Sequence, residues 1–278
     1  LENLLDDEIH LPCPGSVSIW GADQPGYHDF FTDPSGKAFH LDRARFDSEL
    51  RQAAAHQGVE VKSGWRFHKA SPLEEGFRLW FSEAGKRSFS LEADFVIDAS
   101  GQAAAFARRL GVARNLFDEV ISVCAFVDSS QAGSTIAPTL VQAQDIGWWY
   151  GVRLPGNRAI VSLCTDRETL RCKQLAEPGS WFRALQHADW FCGQVQRQLG
   201  NAITEPAELH LRTAPSAILS NVVGSNWLAV GDAASSYDSM TSAGITKALL
   251  HAHQAGQAAA AWLTESNETG LRDYQDQV

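Results

Sequence analysis

The stretch Trp227-Leu-Ala-Val-Gly-Asp-Ala-Ala-Ser-Ser-Tyr-Asp-Ser-Met-Thr-Ser-Ala-Gly-Ile-Thr-Lys-Ala-Leu249 constrains the fold more than any other part of the chain. An apolar run of strand length, Trp227 to Val230, ends in Gly231-Asp232. A loop of small residues follows, and Gly244-Ile245 opens an Ala-rich helix that the pattern extends to about Leu263. A carboxylate at a strand end can accept hydrogen bonds from sugar-like hydroxyls. Small residues, Ala233 among them, let backbone approach a flat ligand, and the N–H groups at a helix start favour partial negative charge. Together these features suit a cofactor with a polyol chain and an electron-rich ring.

Two upstream segments read the same way. Ala93-Asp-Phe-Val-Ile-Asp-Ala-Ser-Gly-Gln102 is a strand running into a turn with Asp98 and Gly101, followed by a helix through Arg108 and Arg109. In His40-Leu-Asp-Arg-Ala-Arg-Phe-Asp-Ser-Glu-Leu50, Phe46 and Leu50 share a helical face while Arg43 lies in the first turn. The three segments, in this order, resemble the FAD motifs of the flavoprotein monooxygenase and halogenase superfamily. That resemblance implies an α/β fold: a Rossmann-like FAD-binding domain with an inserted antiparallel-sheet substrate domain. It implies that Asp232 holds the flavin ribityl chain, with Gly231, Ala233, Gly244 and Ile245 around the ring. Arg43 would reach the pyrophosphate, a task suited to a charged planar fork, and Asp98 and Gly101 would serve the dinucleotide.

No Gly-x-Gly-x-x-Gly occurs in the 278 residues, although this superfamily opens with that fingerprint. The resemblance therefore leads us to expect an N-terminally incomplete chain, short by at least about 30 residues, that holds flavin poorly by itself.

A net charge of −10 argues against nucleic acid or an anionic membrane as partner, since both require clustered Lys and Arg. No run is long enough to span a bilayer. Five cysteines without a Cys-x-x-Cys read as reduced, mostly buried thiols, with no metal site, which points to the cytoplasm.

Along the chain, residues 43–57 read as a helix and 59–63 as a strand, a pair that fits the edge of the nucleotide domain. Phe77–Phe81 and Arg87–Leu91 read as a hairpin. Four strands are expected at 120–127, 139–143, 147–154 and 159–164, then helices over 167–200 broken at Pro178-Gly179, then a strand at 208–212. The expected division is residues 1–114 and 214–278 for the FAD domain, and 115–213 for the substrate domain.

Asp145-Ile-Gly-Trp-Trp-Tyr-Gly-Val-Arg-Leu-Pro155 discriminates within the superfamily. Period-two alternation puts Trp148 and Tyr150 on one face and Trp149 on the other. Such residues pack a sheet core or form a flat wall for an aromatic substrate, and all three are candidate pocket residues. Flavin-dependent halogenases carry Gly-Trp-x-Trp-x-Ile-Pro here. In this chain Tyr150 replaces the second Trp, and Gly-Val-Arg separates it from Leu154-Pro155. The lysine that halogenases need is also missing between Pro14 and Trp20. The N-terminal His-Leu-Pro-Cys-Pro-Gly, this segment and the Asp232 loop are similar to a branch of maturation flavoproteins that oxygenate peptidyl tryptophan on the way to cysteine tryptophylquinone.

The resemblance implies a monooxygenase acting through a C4a-hydroperoxyflavin on an aromatic substrate or a tryptophan-containing peptide or protein. O2 would be consumed, with electrons from NAD(P)H or a separate flavin reductase. His40, His210 and Asp238 are candidate bases. The alternatives are a halogenase, or a reductase of the geranylgeranyl-reductase type.

Overall fold

Alternating runs of apolar and small polar residues between 120 and 165 build the largest sheet of the protein. The computed structural model describes residues 9–30, 38–83, 88–133, 136–200 and 202–278. Its helices are α1 (Arg43–His56), α2 (Ala105–Arg109), α3 (Arg167–Cys172), α4 (Pro178–Gln186), α5 (Asp189–Leu199), α6 (Gly244–Glu265) and α7 (Thr269–Gln277). The chain forms two compact units, residues 1–61 with 120–213, and residues 62–119 with 214–278.

The first unit centres on a seven-stranded sheet. Its order is His210–Thr213, Ile121–Asp128, Arg158–Thr165, Gly147–Leu154, Thr139–Gln144, Gly15–Ile19 and Gly26–Asp29. All neighbours are antiparallel except Thr139–Gln144 with Gly15–Ile19, which run parallel. One face is apolar and packs on α4 and α5. Val123, Val161, Leu163 and Trp149 meet Trp181, Leu185, Phe191 and Val195 there. Gly151 keeps this approach close, because a Cβ would lie 3.0 Å from the Phe191 ring.

α1 starts where the Asp42 side chain accepts from the Arg45 N–H at 3.1 Å, and Gly58 (φ +88°) lies beyond its end. The strand expected at 59–63 does not form. Val59 and Val61 are exposed, so nothing rewards an extended pairing, and the chain passes here from one unit to the other. Pro178 does not break a helix. It opens α4 at the first turn, where its missing N–H costs nothing.

The second unit contains three small sheets. Val96–Asp98 pairs in parallel with Trp227–Ala229, which pairs antiparallel with Val223–Gly224. Trp65–Pro72, Phe77–Glu83 and Phe89–Ala93 form a meander; the turn of the expected hairpin at 84–87 lies outside the described residues. Ala217–Leu219 joins Arg114–Leu116 to Ser235–Ser236. α6 supplies Ala255 and Ala258 to the core of this unit, and α7 supplies Leu271 and Tyr274.

The division differs from the expected one at the N-terminal end. Residues 1–61 group with the large sheet rather than with 62–119, because backbone pairing ties them to it: Gly15–Ile19 is one of its strands. No helix among the described residues is long and apolar enough to cross a membrane.

Trp149 is fully buried, with its ring 5.2 Å from Trp181 and 5.8 Å from Phe191, and its indole N–H donates to Gln144 at 2.8 Å. Trp149→Ala is expected to cost about 3–5 kcal/mol in urea denaturation. A loss below about 1 kcal/mol would contradict this packing account.

Candidate functional site

Seven of the expected cofactor residues lie in the second unit, on three turns. The strand Trp227–Ala229 is buried throughout, and Val230 N–H donates to the Asp98 carbonyl at 3.0 Å. Gly231 then turns the chain at φ +57°, a left-handed conformation that a side chain would strain. A Cβ there would also lie 3.3 Å from Ala248 on α6. Gly231–Ala233 is a single 3-10 turn that leaves Ala233 buried and the Asp232 side chain 40% exposed. At the other end of the loop, Ala243 precedes α6 and no side chain caps that helix. Gly244 is exposed, with open space around its Cα, and Ile245 is half-buried.

Asp98 has a different surrounding from the expected one. It is 3% exposed. One carboxylate oxygen accepts from the Ser100 N–H and hydroxyl at 3.0 and 2.5 Å, and the other from Phe106 and Ala107 N–H at 2.9 and 3.0 Å. Its acceptor capacity is consumed in tying the strand end to the start of α2, leaving no oxygen for a ribose hydroxyl. Gly101, at φ +66°, starts the 3-10 turn between them.

The remaining candidates lie in the first unit. Arg43 is exposed and pairs with Asp47 at 3.2 Å, one helical turn on. Trp148 and Tyr150 share the sheet face opposite α4 and α5, with ring centroids 6.5 Å apart and perpendicular planes, and Trp20 lies 6.5 Å from Trp148. Burial pushes the Tyr150 hydroxyl up to about 12, with the Cys13 and Cys164 thiols adding to the effect, so the phenol stays protonated. Trp149 points the other way into the core, which removes it from the pocket candidates.

Among the candidate bases, His40 is buried and its Nε2 lies 3.1 Å from the Thr139 hydroxyl. Burial lowers its pKa to about 4; a hydrogen bond with the Arg153 backbone opposes this, and the Arg153 charge adds to it. His210 packs edge-on against Phe126 at 5.4 Å. Asp238 accepts from Met240 N–H at 2.9 Å and so caps the turn that follows it.

Sequence reasoning missed the partners of Asp232. Lys247, 8% exposed, donates to one Asp232 oxygen at 3.0 Å and to the Ser235 carbonyl, with its ammonium 4.5 Å from the Tyr237 ring centre. Arg114 donates to the Ser236 hydroxyl at 2.8 Å; burial lowers its pKa, and the Asp232 charge opposes that shift. His251, one turn beyond Lys247, accepts the Gly231 N–H at 3.3 Å through Nδ1. Lys247 and His251 are spaced i, i+4 on an otherwise Ala-rich face, which is the signal that could have found them.

The donor set fits a flavin in part. Asp232 offers an exposed carboxylate, Gly231 and Gly244 allow close backbone approach, and the uncapped start of α6 favours negative charge. The fold together with this strand–turn–helix defines an FAD-dependent oxidoreductase. The chain belongs to the tryptophan halogenase family, whose model matches residues 24–255. It is 26% identical over 265 residues to LodB, an FAD-dependent oxidoreductase of Marinomonas mediterranea, covering 95% of this chain and 70% of that one.

Two solved structures extend the comparison. The flavin-dependent halogenase CmlS aligns with a TM-score of 0.81 at 23% identity, covering 99% of this chain and 52% of its own. A peptidyl tryptophan dihydroxylase essential for tryptophylquinone cofactor biogenesis aligns with a TM-score of 0.74 at 25% identity, covering 99% and 58%. The chain thus spans about half to 70% of the length of these relatives.

The His40 environment sets a pH dependence. Its pKa is about 4 folded against 6.5 for the free side chain, so the unfolded state binds the extra proton between those values. Stability is then full above pH 6.5 and falls by about 3 kcal/mol as pH drops to 4. Denaturation of the parent and His40→Gln across this range should show a flatter profile in the variant. Parallel profiles would contradict the assignment.

Proposed function

We propose that the protein is a flavin-dependent monooxygenase that hydroxylates an aromatic substrate, most simply a tryptophan side chain within a peptide or partner protein. The observation that carries this reading is the strand Gly147–Leu154. It sets Trp148 and Tyr150 together on the face away from α4 and α5, in a sequence that departs from the halogenase pattern. Trp148 is buried and Tyr150 half-buried, while Trp20, 6.5 Å from Trp148, carries this aromatic set to the surface, where a flat indole can stack; offset or edge-on aromatic pairs contribute about 0.5–1.5 kcal/mol beyond burial. The similarity to the peptidyl tryptophan dihydroxylase supports the same substrate class.

FAD, reduced by NAD(P)H or by a separate flavin reductase, would supply the activation of O2. The residues of this chain do the rest. Asp232 accepts from a ribityl hydroxyl through its exposed oxygen. The Gly231–Ala233 turn and the Gly244-Ile245 amides would hold the ring edge. Tyr150, kept as a neutral phenol by its burial, can donate a hydrogen bond at the substrate.

Halogenation is the second reading, favoured by the family match and by the fold of CmlS. Against it stands the segment Gly15–Ile19, a strand of the large sheet that contains no lysine where the halogenase resemblance calls for one.

In full-length protein, Asp232→Ala should weaken FAD retention at least tenfold by flavin fluorescence, and an unchanged affinity would contradict the site. Trp148→Ala should lower turnover more than flavin content. With reduced flavin, O2 and a tryptophan-containing peptide, mass spectrometry should show added oxygen. A halogen adduct formed in the presence of chloride or bromide would favour the second reading.

A further inference from the structure

We propose that Lys247 is a positioning residue for the cofactor, holding the Asp232 side chain by one oxygen with the other facing outward. This rests on the reading that Asp232 binds the ribityl chain. Lys247 occupies the first turn of α6, where the helix dipole disfavours a cation, and its ammonium is withdrawn from water. An apolar side chain in that place would avoid both penalties, so stability alone does not account for a lysine.

The surroundings of the ammonium are matched to its three protons. It donates to an Asp232 oxygen and to the Ser235 carbonyl, and the Tyr237 ring faces it. The exposures are asymmetric, with the lysine 8% and the aspartate 40% exposed. The cation is the fixed partner and the carboxylate the presented one. Lys247 therefore takes one oxygen of Asp232 and aims the other outward. Arg114, drawn toward the same carboxylate, adds a second cation, so Lys247 and Arg114 together offset the two carboxylates of the loop, Asp232 and Asp238. A ligand suited to the outward oxygen of Asp232 supplies a hydroxyl donor, as a ribityl chain does.

The test uses full-length protein, reconstituted with FAD and titrated by flavin fluorescence. K247M should weaken FAD binding about tenfold, and K247R should restore most of it. The double variant D232A/K247M should bind no more weakly than D232A, because residues that act as one unit are not additive. FAD affinity unchanged in folded K247M, with only a lowered melting temperature, would overturn the proposal, as would additive losses in the double variant. If D232A binds FAD as the parent does, the cofactor reading beneath the proposal fails instead. A second readout needs neither FAD nor a change at Lys247: acetylation followed by mass spectrometry. Lys247 should react slowly in the parent and at least tenfold faster in D232A. Equal rates would show that the carboxylate does not hold the ammonium.

Discussion

Burial of the three-residue strand Trp227–Ala229 is the constraint on which the second unit depends. All three side chains are buried, the strand is paired on both edges, and the Tyr274 hydroxyl from α7 donates to the Ala229 carbonyl at 2.7 Å. This fixes where the chain emerges at Val230. The turn at Gly231 and the carboxylate of Asp232 follow at a defined place over α6. Asp98 closes the neighbouring strand in a comparable way, with its carboxylate spent on backbone N–H groups. Two acidic residues end two adjacent strands. One is sealed into structure and the other is left facing outward, and that difference in environment separates their roles.

The first unit divides labour between the faces of one sheet. Trp148, Trp149 and Tyr150 are consecutive, yet the pleat sends Trp149 into the core against Trp181 and Phe191 and pairs Trp148 with Tyr150 on the opposite face. Hydrophobic packing against α4 and α5 fixes the strand, which in turn fixes the rotation of Trp148, buried, and Tyr150, half-buried, on the other face.

Much of this was legible in the sequence because it depends on local pattern. The start of α6 at Gly244, the alternation through 147–154 and the strand–turn at Asp98 are set by residues close in the chain. What escaped the sequence depends on tertiary partners. The segment 59–63 alternates like a strand, yet no strand forms there, because its valines are exposed and the chain passes here from one unit to the other. Asp98 read as a ligand because its four hydrogen bonds come from residues up to nine positions on. Lys247 was hidden because a lysine in a first turn ordinarily faces solvent, and only the loop from Asp232 to Tyr237 folding over it makes it a partner.

The central claim is that the turn Gly231–Ala233 and the start of α6 receive the FAD. Hydrogen–deuterium exchange of full-length protein with and without FAD tests this most directly. The account predicts that FAD slows exchange at the amides of 231–233 and 244–246, while amides of the core-packed strand Arg158–Thr165 are unaffected. FAD bound with unchanged exchange at both of those segments would contradict it.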